Sequence, residues 1–157
     1  MQKRTAFKLC LAGATAVALN AAPVAVFAKD EPLKVAFVYV SPANEEGWSS
    51  QHDIARKFVE EKFGDKIKVT WIENIPENAD AQRVIRDLAQ QGNKIIFATS
   101  FGYMNSVMKV AKQFPNVYFE HATRYQTSQN AKNYTTRVYE GRHLAVRLAA
   151  ATTQSKM

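Results

Sequence analysis

The chain has 157 residues, a formal charge of +7 and one cysteine, Cys10. That length suffices for one domain with a real core. Cys10 lies inside a leader-like segment, so the mature chain would contain no cysteine, which excludes disulfides, thiolate catalysis and cysteine-ligated metals.

The leader comes first. Lys3, Arg4 and Lys8 precede a mostly apolar stretch over 9–19, and Val26-Phe27-Ala28 places small residues at −3 and −1 of a cut before Lys29. The apolar run is too short to cross a hydrocarbon core of about 30 Å. Cys10 follows Lys8-Leu9 within the run, which is not the setting of a lipid-modified start. The expected product is soluble in the periplasm, where it can associate with the plasma membrane. Cleavage lowers the charge from +7 to +4. Residues 29–121 hold 12 basic and 13 acidic side chains, and residues 122–157 hold 6 and 1. The basic excess therefore belongs to the tail, which argues against a nucleic-acid partner.

After the leader, strand and helix signals alternate. Residues 34–40 (KVAFVYV) form a nearly continuous β-branched and aromatic run, as a strand buried on both faces requires. A loop over 41–47 leads to a helix over 48–63, with Ile54, Ala55, Phe58 and Val59 at helical spacing and Gly64 as a stop. Residues 67–72 are the second strand. Asn78 or Asp80 caps the next helix, where Ala81, Val84, Ile85, Leu88 and Ala89 form the cleanest amphipathic stripe in the chain, ended by Gly92. Residues 94–99 predict a third strand. A helix over 103–113 with Met104, Val107, Met108 and Ala111 on one face follows, then a fourth strand over 117–121. This order predicts an α/β fold: an open parallel sheet with right-handed crossovers and helices on both faces.

Residues 123–133 are polar and aperiodic and read as a linker after an α/β lobe over 29–122. Beyond it, 134–139 predict a strand and 140–151 a helix with Leu144, Ala145, Leu148 and Ala149 on one face. A lone strand and helix cannot bury that face. They either pack on the body or, the reading adopted, begin a second lobe over 134–157.

Ligands of open parallel sheets sit beyond the carboxyl ends of the strands. Here those ends lead into 41–48 and 100–103. Trp48 and Phe101 offer flat faces, and Ser49, Ser50, Ser100 and Asn105 offer neutral hydrogen-bond partners. Such a set suits a neutral heteroaromatic ligand better than an anion. The plain alternative is that both aromatic rings only seal the sheet end. His52, four residues after Trp48, can reach the same ligand edge, although a histidine there also serves as a cap. Asn44, Glu45 and Glu46 can each supply one polar contact or simply be solvated. Adjacent loop carboxylates with no nucleophile do not make a general acid/base pair. His52, His121 and His143 lack metal-ligand spacing, and neither GxGxxG after the first strand nor GxxxxGK[ST] occurs. No cofactor is expected.

Several motifs occur in a telling order: the leader, VAFVYV, Glu45-Glu46-Gly47-Trp48, Ser100-Phe101 through Ala111-Lys112-Gln113-Phe114-Pro115-Asn116-Val117, and Tyr139-Glu140-Gly141-Arg142. Together they resemble the basic membrane protein family, the purine-nucleoside-receptor type of ABC-transporter substrate-binding protein. The resemblance implies the first lobe of a type I periplasmic-binding-protein fold, with two lobes closing on a purine base or nucleoside for delivery to an inner-membrane ABC permease. It implies a monomer and no catalysis. It gives Trp48 the stacking role, sets Ser49 where the family has asparagine, matches Phe101 to an aromatic after the third strand, and sets Asn105 where many members have aspartate. The family chain is about twice as long. Arg124 and Arg147 stand where a small residue is expected, and 150–157 lose the family pattern, as in a truncated copy. The other functional class considered is a half-receptor that contacts a permease or sensor without trapping ligand.

Overall fold

The computed structural model describes residues 31–123 and 125–153. The leader over 1–28 with Cys10, the cut before Lys29, Arg124 and the last four residues lie outside the described residues. Five strands form one sheet: β1 (Leu33–Val38), β2 (Ile67–Ile72), β3 (Ile95–Ala98), β4 (Tyr118–Ala122) and β5 (Ala131–Tyr134). Their order is β2-β1-β3-β4-β5 and every pairing is parallel. β1 lies inside the sheet with neighbours on both edges, which is why Val35, Ala36, Phe37 and Val38 are all buried. The chain steps from β1 outward to β2, then back past β1 to β3 and on to β4. Right-handed crossovers in opposite directions put α1 (Trp48–Phe63) on one face and α2 (Ala79–Gln90) and α3 (Met104–Ala111) on the other.

The face under α2 and α3 holds the larger core. Ala36 and Val38 of β1, Ile96 and Ala98 of β3 and Phe119 of β4 meet Ala81, Val84, Ile85, Leu88 and Ala89 of α2. The stripe read from the sequence is thus the buried face, and full burial of Ile85 or Leu88 stabilises by about 1.5–3 kcal/mol each. Asn78 caps α2, its side chain accepting the Asp80 N–H at 2.7 Å. α3 is shorter than the expected 103–113 and is preceded by a single 3-10 turn over Phe101–Tyr103. It buries Met104, Val107, Val110 and Ala111, with Val110 and not Met108 completing the face.

α1 departs from expectation. Half of the stripe Ile54, Ala55, Phe58 and Val59 turns away from the sheet: Ile54 and Phe58 are 59% and 61% exposed, and the buried residues are Ser49, Asp53 and Arg56. Positions 49, 53 and 56 share a helical face as well as the apolar set does. Burying that face is tolerable because its charges meet. Arg56 Nε donates to Asp53 Oδ1 at 2.6 Å, its guanidinium lies 3.9 Å from the Trp71 ring centroid, and Lys57 Nζ reaches Asp53 Oδ2 at 3.0 Å. The Tyr39 hydroxyl lies 3.5 Å from Asp53 Oδ1.

The chain after β4 also differs. β5 falls at Ala131–Tyr134, so it lies mostly in the segment expected as a linker over 123–133 and shares only Tyr134 with the strand expected over 134–139. It pairs with β4 along Phe119↔Ala131 to Ala122↔Tyr134. Ala-Lys-Asn-Tyr has no strand pattern of its own. Asn130 brings it to the sheet edge: its side-chain amide lies 3.1, 2.9 and 2.9 Å from the carbonyls of Ala111, Phe114 and Val117, clamping the approach to β5 onto the end of α3. α4 (Val138–Thr152) then contains no buried residue, and Leu144 and Leu148 are each 66% exposed.

Burial raises the Asp53 pKa, but hydrogen bonds from Arg56 and Lys57 outweigh it and hold the carboxyl below its ordinary 3.8. Asp53→Ala leaves a buried guanidinium short of a partner and should cost about 3 kcal/mol in urea denaturation at pH 7. Because the folded-state pKa is depressed, the stabilisation by Asp53 is present above the unfolded value and lost as pH falls through the folded one. The stability gap between wild type and Asp53→Asn should therefore be flat from about pH 5 to 8 and close below 3.8. A loss under about 1 kcal/mol for Asp53→Ala would show that the pair does not seat α1.

Candidate functional site

The strand order reverses between β1 and β3, so the chain leaving β1 and the chain leaving β3 part in opposite directions and open a crevice at the carboxyl end of the sheet. Gly47 closes the first loop at φ +131 and ψ −147, a region essentially restricted to glycine, and Trp48 follows as the first residue of α1. Trp48 is 37% exposed. Its indole N–H donates to the carbonyl of Thr99, whose hydroxyl donates to the Val38 carbonyl at 2.9 Å. The indole is thereby tied to the end of β3, and β3 to the end of β1, with part of the ring open.

Ser49 differs from expectation. It is 1% exposed, and its hydroxyl pairs with Ser41 Oγ at 2.7 Å and accepts the Ser41 N–H at 3.3 Å. In this structure it fastens the first loop to α1. The Ser50 hydroxyl donates to the Gly47 carbonyl at 3.2 Å. His52 comes together with Trp48: the ring centroids are 4.7 Å apart, and His52 Nδ1 lies 2.8 Å from the Trp48 carbonyl, leaving Nε2 directed elsewhere. Beside them is a hollow of about 420 Å³ lined by Trp48, Gln51, His52, Ala55, Tyr134 and Thr136. A smaller apolar recess over Phe37 and Phe97 shares His52, Ala55 and Tyr134 with it. Asn44, Glu45 and Glu46 are exposed.

The loop after β3 makes a second group. Phe101 is 53% exposed, with the Tyr125 ring 6.4 Å away. Ser100 donates its hydroxyl to the Glu77 carboxylate, which also accepts the Gly102 N–H at 3.0 Å. Asn105 is exposed in the first turn of α3. The Tyr103 hydroxyl donates to the Ile75 carbonyl at 2.5 Å, anchoring the loop that carries Glu77. Burial, reinforced by Glu77, pushes the Tyr103 phenol up, and burial with Glu120 does the same to Tyr134. Both phenols stay protonated at neutral pH.

Sequence reasoning missed Thr99, Glu77, Tyr125 and Tyr134. Glu77 follows the end of β2 and obeys the same rule that singled out Trp48 and Phe101, but nothing in the sequence distinguishes it from a solvated loop glutamate. The two tyrosines lie in or next to the segment read as a linker. His121 is buried in β4 and His143 stands on α4. Among the described residues no three His, Cys, Asp or Glu side chains converge to hold a metal ion, and no helix is long and apolar enough to cross a membrane. The arrangement can stack on a flat ring and exchange hydrogen bonds with its edge.

Residues 33–157 match the family model described as ABC transporter substrate-binding protein, PnrA-like. The chain is similar to a purine-binding protein of Brucella abortus, 52% identical over 121 residues that cover 77% of this chain and 35% of that one. It is also similar to a Haloferax volcanii protein named as a putative ABC transporter glucose-binding protein, 37% identical over 125 residues that cover 80% of this chain and 32% of that one. The chain thus spans about a third of the length of these curated relatives. Among solved structures, an ABC transporter solute-binding protein from Aeropyrum pernix superposes with a TM-score of 0.63 at 16% identity, covering 77% of this chain and 35% of that one. One from Conexibacter woesei gives 0.57 at 19% identity, over 66% and 35%. These two show the fold.

A Cβ at Gly47 would meet no atom within 4 Å, so Gly47→Ala tests the backbone alone. It should destabilise by about 1–3 kcal/mol in urea denaturation. Gly141→Ala, in exposed α4 with equally open space, should instead stabilise by about 0.5–1 kcal/mol. Equal effects at both sites would show that Gly47 is not held in its unusual conformation.

Proposed function

This chain belongs to the PnrA-like family of ABC transporter substrate-binding proteins, and on that premise we propose that the solute it binds is a purine base or nucleoside. The observation that carries the reading is Trp48: a partly exposed indole, held by its own N–H to Thr99, at the point where the strand order reverses. An aromatic ring so placed stacks on a flat heterocycle without first losing its own freedom of motion. Phe101 supplies a second flat face. Asn105 and Asn44 offer hydrogen bonds to the ligand, the Ser100 hydroxyl, which donates to Glu77, can still accept one, and His52 presents Nε2 because Nδ1 is engaged with the Trp48 carbonyl. Ser49 acts indirectly by holding the loop that sets Trp48.

The two curated relatives bear the names of different ligands, a purine and glucose. The purine is favoured here by the greater identity of the first and by the chemistry of the site. A sugar requires many side-chain donors and acceptors around its rim. The hollow beside Trp48 is lined largely by the rings of Trp48, His52 and Tyr134 and by Ala55, and its hydrogen-bonding groups are few: the Gln51 amide, the Thr136 and Tyr134 hydroxyls and the His52 imidazole. Its volume of about 420 Å³ lies within the usual range for small-molecule sites.

The wider proposal follows the family. The protein is exported, cut before Lys29, and works in the periplasm as a monomer that passes its ligand to an ABC permease of the inner membrane. It acts by binding and release, not by catalysis. The first lobe runs from residue 29 through β5, past the boundary at 122 expected from the sequence, and α4 with its exposed apolar face opens the second.

One wall of such a site gives stacking plus a few hydrogen bonds, each worth about 0.5–1.5 kcal/mol net, against the ligand's lost freedom. Adenine, hypoxanthine or adenosine should therefore bind this chain at about millimolar, ~−4 kcal/mol, in ligand-observed NMR. Trp48→Ala should weaken that binding about tenfold or more. Glucose bound in preference to every purine tested, or an unchanged affinity in Trp48→Ala, would overturn the reading.

A further inference from the structure

Glu77 lies in the loop between β2 and α2 and reaches across to the loop that carries Phe101. Its carboxylate accepts the Ser100 hydroxyl and the Gly102 N–H, the latter at 3.0 Å. Gly102 has no side chain, and a methyl group there would collide with that carboxylate. The glutamate's own loop is anchored from two directions, since Ile75 N–H donates to the Tyr39 carbonyl at 3.0 Å and the Ile75 carbonyl accepts the Tyr103 hydroxyl. The side chain is exposed, yet both ends of its reach are held.

A hydroxyl and a backbone N–H in a turn at the carboxyl end of a parallel sheet are donors that a ligand phosphate commonly uses. Here the chain's own carboxylate holds them. A phosphate brought beside Phe101 meets a negative charge in place of two donors, and like charges a few ångströms apart repel. The N–H groups of a base and the hydroxyls of a ribose meet an acceptor instead.

We propose that Glu77 sets the ligand class of this site, admitting uncharged purines and nucleosides and excluding nucleotides. The proposal rests on the purine reading for the identity of the ligand, but the exclusion of phosphate by Glu77 can be tested without it.

The first arm uses inorganic phosphate and ¹⁵N-labelled protein. The Gly102 amide resonance should stay in place for wild type at millimolar phosphate and move in a saturable way for Glu77→Gln, which keeps the size of the side chain and removes its charge. Gly102→Ala leaves the glutamate charged but displaces it. In that variant phosphate should likewise shift the Ser100 amide and the amide at the substituted position. The second arm compares adenosine with adenosine 5′-monophosphate. Wild type should prefer adenosine by about tenfold, and Glu77→Gln should narrow the gap to about threefold or less. A phosphate-induced shift in wild type as large as in the variant, or none in either variant, overturns the role of Glu77. So does equal binding of nucleoside and nucleotide by wild type. If neither purine binds any form, the purine reading fails, and the phosphate arm alone decides whether Glu77 shields the turn.

Discussion

A helix that turns an aspartate and an arginine toward a sheet must turn both, because either alone in a low-dielectric interior costs several kcal/mol. Asp53 and Arg56 meet this condition one turn apart, with Tyr39 of the chain leaving β1 and Trp71 of β2 completing their surroundings. That pair decides which face of α1 is buried, and α1 begins with Trp48. The rotation of α1 about its axis therefore determines where the indole lies. Rolling α1 to bury Ile54 and Phe58 would carry Asp53 and Arg56 away from Tyr39 and Trp71 and take Trp48 away from the Thr99 carbonyl.

The crevice itself is a consequence of topology. A parallel sheet with order β2-β1-β3-β4-β5 reverses its strand order once, and that place lies between β1 and β3. The side chains that gather around it come from four connections: Trp48 after β1, Glu77 after β2, Phe101 after β3 and Tyr125 after β4. Each is held by a backbone or side-chain contact to a neighbouring connection, so the site is stiffer than the loops composing it. Trp48 rests on Thr99, and Glu77 bridges to Ser100 and Gly102. Phe101 faces Tyr125. Stiffness of this kind matters for a binder, because freedom already lost in folding is not lost again when the ligand arrives.

By itself the sequence determined the α/β class, the parallel sheet, the face of α2 and the two loops that follow β1 and β3 at the carboxyl end of the sheet. Each rests on a local signal that the tertiary structure kept: the β-branched and aromatic run of β1 became an inner strand, the apolar stripe of α2 became a buried helix face, and the connections after the parallel strands gather at one end. Only the tertiary structure decided the rest. α1 carries two stripes of equal helical period, one apolar and one charged, and the choice between them depends on Tyr39 and Trp71, residues on other strands. β5 has no strand signal, and its place at the sheet edge comes from Asn130 reaching carbonyls 13 to 19 residues earlier. Ser49 reads as a donor for a ligand until Ser41, eight residues away, is seen to pair with it. Glu77 reads as solvated until it is seen beside Gly102. In every one of these cases the deciding partner is distant in the chain, and a pairing at a distance leaves no period for a sequence to show.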